Sequence, residues 1–351
     1  MKFLKYILWV IFPIGLLHLL VIAIRNKLYD RRALQIEQLP RPVISIGNIQ
    51  MGGTGKTPTV LALIKLLENS GKKVGVLTRG YKSGAQELVL PAGTEEIDVK
   101  QIGDEPAVIL LHLQNGVLGV GAKRYQVGKK ILKENPVDLF LLDDGFQHRK
   151  LHRELDICLI DVSRWSSHPL LFPFSYLRDH KASLHRADLI ILTKFERRRE
   201  AAKELKTALE RKYSVPVFSG EFQFRSLVYL NTEAEVELSR ATSQKVAAFC
   251  GIANPDSFFD MLTDLGFELV YRKRFPDHHN FKDGQIKKIK RDIKKSDADL
   301  VVVTEKDAVK LYNALPAEDR FREKILVMRI SFQLQGDASL KRMLLAKKFI
   351  T

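Results

Sequence analysis

Residues 50–60, QMGGTGKTPTV, constrain the fold of this chain more than any other stretch. They end in the Gly-Lys-Thr of a phosphate-binding loop, G-x-x-x-x-G-K-[ST], but Gln50 stands where that pattern has its first glycine. Such a loop works in one setting, between a buried strand and the first turn of a helix, where free backbone N–H groups point at an anion. The flanks supply that setting. RPVISIGNI is a β-rich run meeting a turn residue at Gly47, and TPTVLALIKLLENSG carries apolar residues at helical spacing and closes at Gly71. Pro58 falls in the first helical turn, where a missing N–H costs nothing. Gly52, Gly53, Thr54, Gly55, Lys56 and Thr57 are therefore the expected nucleotide-binding residues. Their N–H groups cradle phosphate, Lys56 reaches the β- and γ-phosphates of ATP, and the Thr57 hydroxyl ligates Mg²⁺. Gly52 and Gly53 are expected to supply the backbone freedom that Gln50 lacks.

A loop of this kind needs an acid at the end of a neighbouring strand to hold the metal. VDLFLLDDGFQH provides an apolar run ending in Asp143 and Asp144, with Gly145 breaking it. In open α/β sheets the carboxyl ends of strands are where ligands bind. Further apolar runs, KKVGVLTRGY, LDICLIDV and ADLIILTKFE, alternate with helical stretches, so the fold class expected is a P-loop NTPase-type, doubly wound α/β sheet. Polar groups follow several of these runs: Arg79 and Tyr81, Lys123 and Arg124, and Gln147, His148 and Arg149. Asp104 and Glu105, just ahead of Pro106, read equally well as the N-cap and first-turn acid of a helix.

Around Ser214–Gln223 and Leu227–Leu238 the pattern becomes short strands and turns, consistent with a linker, and a second, smaller α/β unit follows. KVAAFCGIANPDSFFDMLTDLGF reads as strand, turn and helix, with Asn254 or Asp256 as N-cap, and DADLVVVTEKDAVKL repeats the scheme. Between them FPDHHNF places Asp277, His278 and His279 in a loop without zinc-ligand spacing; a proton-transfer role there needs a partner from the other domain. FKDGQIKKIKRDIKK has Ile286, Ile289 and Ile293 on one helical face and lysines elsewhere, the pattern of a solvated helix. The expected organisation is an apolar N-terminal segment (1–32), a P-loop domain (33–220) and a second α/β domain (221–351) contributing to the site.

Among the 351 residues, 57 Lys and Arg face 41 Asp and Glu, a formal charge of +16 that implies an anionic partner. Aromatic-basic motifs of nucleic-acid modules are missing, so nucleic acid is not expected. YILWVIFPIGLLHLLVIAI, Tyr6 to Ile24, is nearly all apolar and has Lys2 and Lys5 before it and Arg25, Lys27, Arg31 and Arg32 after it. Basic residues on both flanks fit a helix lying at an anionic membrane surface better than one crossing it. A cleaved signal peptide is disfavoured because no small-residue cleavage site follows. Cys158 and Cys250, each in an apolar run, indicate neither disulfide nor zinc.

GNIQMGGTGKTP, TRGY, GDEP, DDGFQH, LTK, GIANPDSF, DHHNF and TEKDAVKL, in this order behind an apolar N-terminus, resemble the tetraacyldisaccharide 4'-kinases of lipid A biosynthesis over nearly the whole chain. The resemblance implies an enzyme on the cytoplasmic side of a bacterial inner membrane. It would transfer the γ-phosphate of ATP, with Mg²⁺, to the 4'-hydroxyl of an anionic glycolipid, tetraacyldisaccharide 1-phosphate, giving lipid IVA without an obligatory protein partner. By the same resemblance Lys56 and Thr57 match the phosphate and magnesium contacts, Asp143 and Asp144 the metal carboxylates, with Glu105 beside them, and Asp104 and His278 the pair acting on the acceptor hydroxyl. His279 is the less favoured alternative to His278. Apart from the resemblance, Arg79, Arg124, Gln147 and His148, in the polar clusters that follow the apolar runs, are the candidate substrate groups. SSHPLLFPFSYLRDH departs from the family, keeping only Leu177, Arg178 and Asp179 of a segment that usually ends in LRE. The competing reading, a membrane-associated switch ATPase or GTPase acting on a protein partner, is disfavoured by Met51, where a positioning ATPase carries lysine. It also lacks a guanine-reading N/T-K-x-D, since TKFE ends in Glu196 and TEKD has its lysine out of register.

Overall fold

The computed structural model describes residues 17, 19–80, 87–95, 97–166, 171–172 and 175–350. Most of the apolar N-terminal run, Tyr81 and part of the divergent SSHPLLFPF segment lie outside the described residues. After a helix α1 (residues 19–30), the first half of the chain runs β1 (Val43–Asn48), α2 (Lys56–Asn69), β2 (Val74–Thr78), β3 (Leu88–Pro91), α3 (Val99–Ile102), α4 (Asp104–His112), β4 (Val117–Val120), α5 (Arg124–Glu134), β5 (Leu139–Asp143), β6 (Leu155–Asp161), β7 (Leu189–Thr193) and α6 (Arg199–Tyr213). The second runs β8 (Val217–Tyr229), β9 (Glu235–Val236), α7 (Leu238–Thr242), β10 (Lys245–Cys250), α8 (Pro255–Asp264), β11 (Glu268–Arg274), α9 (Asp283–Lys295), β12 (Leu300–Thr304), α10 (Glu305–Ala314), β13 (Ile325–Gln335) and α11 (Asp337–Ala346).

All strands join one sheet of order β11-β10-β12-β13-β8-β7-β6-β1-β5-β2-β4-β3, with β9 paired to β8. β1 lies between β5 and β6, parallel to both. Strands at that position are covered on both faces, which is why they read as continuous apolar runs. Alternation along them sends side chains to two cores. Leu139 and Leu141 of β5 join Ile44 and Ile46 under α2, while Phe140 and Leu142 pack with Val127 and Ile131 of α5. The carboxyl ends of β1, β2, β5, β6 and β7 consequently open on one edge, where the site is built.

The region expected as short strands and turns is instead the 13-residue β8. Only its first residues, Val217–Gly220, pair with β7. It then runs antiparallel to β13 from Ser219↔Gln335 to Tyr229↔Leu326, with a register shift at Arg329/Ile330. This ribbon makes the two groups of parallel strands one sheet, and the expected boundary at residues 220/221 falls inside it. Polar residues such as Glu221, Gln223 and Arg225 on the ribbon give it the look of a linker. Beyond it, Ile286, Ile289 and Ile293 of α9 are buried in a core with Phe249, Val301 and Val303, leaving the lysines outside. Asn254 is the N-cap of α8, although its side chain makes no capping bond.

Helix α1 exposes Leu20, Val21, Ile24 and Leu28, while Leu19 and Ile22 pack against a core containing Ile49, Leu177 and Leu184. Among the described residues no helix is long and apolar enough to cross a membrane. Cys158 and Cys250 are buried free thiols.

Candidate active site

Between β1 and α2 the chain turns through Gly52 and Gly55, both at φ +93°. In that left-handed region a side chain would be strained. Gly53 is not among the positive-φ residues, so the freedom expected of it is supplied by Gly55. Gln50 replaces a glycine for a different reason. Fully buried, it accepts from Asp161 N at 2.7 Å through Oε1 and donates Nε2 to Asp161 O at 3.0 Å, standing in for a strand pairing at the end of β6. The loop is then pinned from several sides. Asn48 Nδ2 donates to Thr54 Oγ1 at 2.6 Å, Thr193 Oγ1 to Thr54 O at 3.0 Å, and Lys194 Nζ to Gly53 O. Lys194 also lies 3.2 Å from the buried Asp161 carboxylate. Arg164 spans the loop's edge, donating to Met51 O and to Ala253 O in the second half of the chain, each at 3.3 Å.

Two carboxylates end β5. Asp143 is buried; Thr78 Oγ1 lies 3.3 Å from its Oδ2, while Oδ1 has no donor. Burial, then the negative charges of Glu105 and Asp144, push its acid up to about 7 despite Lys56 and the Thr78 bond. Asp144, turned at φ +50°, is 3.5 Å from Lys56 Nζ and receives both terminal nitrogens of Arg178. Burial raises its acid, but Lys56 and Arg178 outweigh that and hold it well below the usual range.

Opposite, α4 starts at Asp104 directly after Gly103, whose φ +97° and ψ 161° suit only glycine. Asp104 Oδ1 accepts from Glu105 N at 2.9 Å, and both Asp104 oxygens lie 3.1 Å from His278 Nδ1. α10 supplies the counter-charges: Lys306 Nζ is 2.8 Å from Glu105, and the buried Lys310 Nζ is 2.8 Å from Asp307 and 3.8 Å from Asp104. Burial favours the neutral acid of Asp104, yet the His278 bond and the charges of Lys306, His278 and Lys310 carry it well below the ordinary range. The hydrogen bond to Asp104 in turn raises His278.

The arrangement is a phosphate loop facing a carboxylate–imidazole pair whose members come from opposite halves of one sheet. A profile of the family "Tetraacyldisaccharide-1-P 4'-kinase" matches residues 7–348. The chain belongs to the tetraacyldisaccharide 4'-kinase family. It is thus a kinase of lipid A biosynthesis, and family membership disfavours the switch-ATPase or GTPase reading. Among relatives, the tetraacyldisaccharide 4'-kinase of Pelobacter propionicus is 33% identical over 96% of this chain and 91% of its own. That of Syntrophus aciditrophicus is 34% identical over 83% and 80%. The crystal structure of the "apo" form of LpxK from Aquifex aeolicus in complex with ATP is 28% identical, covers 96% of this chain and 98% of that one, and superposes with a TM-score of 0.75.

The structure brings Lys56, Asp143, Asp144, Glu105, Asp104 and His278 to one edge of the sheet. It does not bring His279 there: that ring stacks on Phe275 at 4.7 Å and meets Gln285 at 3.2 Å. Arg124 is buried at the start of α5, donating to Ala122 O at 3.1 Å, and Arg79 lies near enough to repel its charge. Gln147 is held by Asn48 O at 2.8 Å. Burial, then Arg124, Arg153, Lys150 and Arg25, depress His148 to about 4, so it is neutral at pH 7. Sequence reading missed Arg178 as the partner of Asp144, Lys194, Asp161 and Arg164 around the loop, and Lys306 and Lys310 behind the acid pair. LTK and TEKDAVKL contain three of these, but which acid each lysine meets is set by packing, not spacing.

Proposed function

We propose that the protein transfers the γ-phosphate of ATP to the 4'-hydroxyl of tetraacyldisaccharide 1-phosphate at this site, working from the cytoplasmic face of an inner membrane on which α1 lies. The observation carrying the assignment of roles is the Asp104–His278 contact across the two halves of the chain. The acceptor hydroxyl oxygen attacks the γ-phosphorus as the bond to the β-phosphate oxygen breaks and ADP leaves, and the hydroxyl proton passes to Asp104. With its acid held low, Asp104 stays ionised, and His278 donates to it through Nδ1, fixing its orientation. A weak base suffices, because phosphoryl transfer is dominated by positioning and charge stabilisation and the proton leaves late. Lys56 is the charge for the transferring group and exchanges Asp144 for phosphate oxygens on nucleotide binding.

The donor set fits Mg²⁺. Asp143 Oδ1 is a buried oxygen without a donor, with Asp144 and Glu105 near enough for their charges to raise its acid, and Thr57 is proposed to add its hydroxyl. Among the described residues no three His, Cys, Asp or Glu side chains form a ready cage, as suits an ion that takes one or two carboxylates plus phosphates and water. Bound there, the ion would neutralise phosphate charge. Arg79, Arg124, Gln147 and His148 are proposed to face the anionic sugar, where the neutral His148 offers a hydrogen bond without a charge. Closure of the second half over the P-loop, through Arg164 and the α4–α10 ion pairs, excludes water from the transfer.

The test is incubation of the protein with γ-labelled ATP and detergent-dispersed tetraacyldisaccharide 1-phosphate, with unlabelled GTP as competitor. Label in a bis-phosphorylated lipid, undiminished by GTP, is expected; label only in free phosphate would overturn the reading.

A further inference from the structure

Asp179, the acid left from the divergent LRD segment, is fully buried yet lies outside the transfer chemistry. Its Oδ1 accepts from Asn26 Nδ2 of α1 at 3.2 Å, from Ser183 Oγ at 2.8 Å and from His180 N at 2.8 Å. Its Oδ2 accepts from Gln147 Nε2 and Arg186, both at 3.3 Å. Gln147 passes the connection on: the same Nε2 donates to Asn48 O at 2.8 Å, and Asn48 is the residue whose amide holds Thr54 of the phosphate loop. The neighbouring residue makes a second link, since Arg178 bonds Ile49 O through its N–H at 2.8 Å and pairs with Asp144, the carboxylate that holds Lys56. The seating of α1 is completed by Arg25 donating to Gln147 O at 3.0 Å and by Arg149 donating to Asn26 O at 2.9 Å. The opposite face of the helix is the exposed row of Leu20, Val21, Ile24 and Leu28.

We propose that Asp179 is a positioning residue that couples the seating of α1 to the phosphate loop, so that lipid engaging the apolar face of the helix tightens nucleotide binding. The reason is that α1 and the phosphate loop hold the same groups: Asn26 holds Asp179 Oδ1 and Arg25 holds Gln147 O, while Gln147 Nε2 joins Asp179 to Asn48 O. A shift of α1 removes one of the carboxylate's five donors and the hold on Gln147 together. When α1 shifts, the carboxylate turns toward its remaining donors, and Gln147 and Arg178, which share it or adjoin it, loosen their hold on Asn48, Ile49 and Asp144. Seating α1 in lipid removes that excursion. By reciprocity ATP must tighten membrane binding by the same factor. The inference rests on the proposed reading that α1 lies on a membrane.

The experiment uses the full chain and vesicles of phosphatidylglycerol and phosphatidylethanolamine that contain no tetraacyldisaccharide. ATP affinity is measured with and without vesicles, and vesicle co-sedimentation with and without ATP, for the wild type, Asn26→Ala and Asn26→Asp. The wild type is expected to bind ATP about fivefold tighter on vesicles, at the low end of ordinary coupling between sites. Asn26→Ala should sediment with vesicles as the wild type does but lose the difference. Asn26→Asp, which sets a like charge against Asp179 without changing volume, should lose it and also bind ATP more weakly on vesicles. Vesicle binding by the wild type with no change in ATP affinity would overturn the coupling alone. An Asn26→Asp protein with the full wild-type enhancement would do the same. Wild-type protein that fails to sediment would overturn both the coupling and the membrane reading, and label transfer in detergent would still report the kinase reading separately.

Discussion

The site holds two adjacent pairs of acids, Asp143–Asp144 and Asp104–Glu105, and they are built in opposite ways. The first pair ends a strand, is positioned wholly within the first half of the chain, and includes one buried oxygen without a donor, so Asp143 is pushed up to about 7. The second pair begins a helix and owes its charge state to the other half: His278, Lys306 and Lys310 hold Asp104, and Lys306 and then Lys56 hold Glu105, below the usual carboxylate range although burial works the other way. An acid left short of cations suits the capture of a metal ion with its nucleotide. An acid held by residues across a ribbon keeps its orientation, and its charge within a buried site, through partners from the other half. Carboxylates thus differ by which part of the sheet supplies their partners.

The sharpest way to break the contrast is Asp104→Asn, which removes the proposed base while leaving the phosphate loop intact. Lipid phosphorylation should fall by about a thousandfold or more, with ATP affinity within about threefold of wild type, in steady-state transfer and equilibrium binding assays. Next is Lys306→Met, which strips both Glu105 and Asp104 of a cation from the second half; kcat should fall about tenfold to a hundredfold, more than KM rises. Asp143→Asn should abolish magnesium-dependent transfer yet stabilise the metal-free fold. A carboxyl raised in the folded state binds its proton more tightly there than in the unfolded chain, so stability is lost as pH climbs from 3.8 toward about 7. At pH 8 in chelator the variant should melt about 2 °C or more above wild type, and Mg²⁺ with ATP should reverse the order. His278 gives a smaller effect of opposite origin. Its raised value means the stabilisation from the Asp104 contact is complete below the ordinary 6.5 and fades as pH rises through the raised value. Thermal melts of wild type should show that alkaline decline and those of His278→Gln should not. The smallest effect is expected from His279→Gln, about threefold or less in kcat, because that ring serves the packing of Phe275 and Phe281.

Much of this was legible before folding. The phosphate loop, the strand ending at Asp143 and Asp144, and GDEP opening its helix are local patterns, legible from spacing. Gln50 shows where legibility stops. Its mismatch to the loop pattern is visible, but its partner Asp161 is 111 residues away, and nothing in either neighbourhood announces the pairing. The β8–β13 ribbon was misread for the same reason: its strands pair only with each other along their middles, and their alternating polar residues imitate a surface linker. Which cation meets which acid is equally non-local, since Lys306–Glu105 and Arg178–Asp144 join residues 201 and 34 positions apart.

The central claim, that the base is assembled across the two halves, is tested most directly by single-turnover transfer from γ-labelled ATP to the tetraacyldisaccharide, with Asp104→Ala and His278→Ala measured singly and together. Single losses that are each severe and a double loss little worse than Asp104→Ala alone are predicted, since both residues serve one proton acceptor. Fully additive losses, or near wild-type transfer by either single variant, would contradict it.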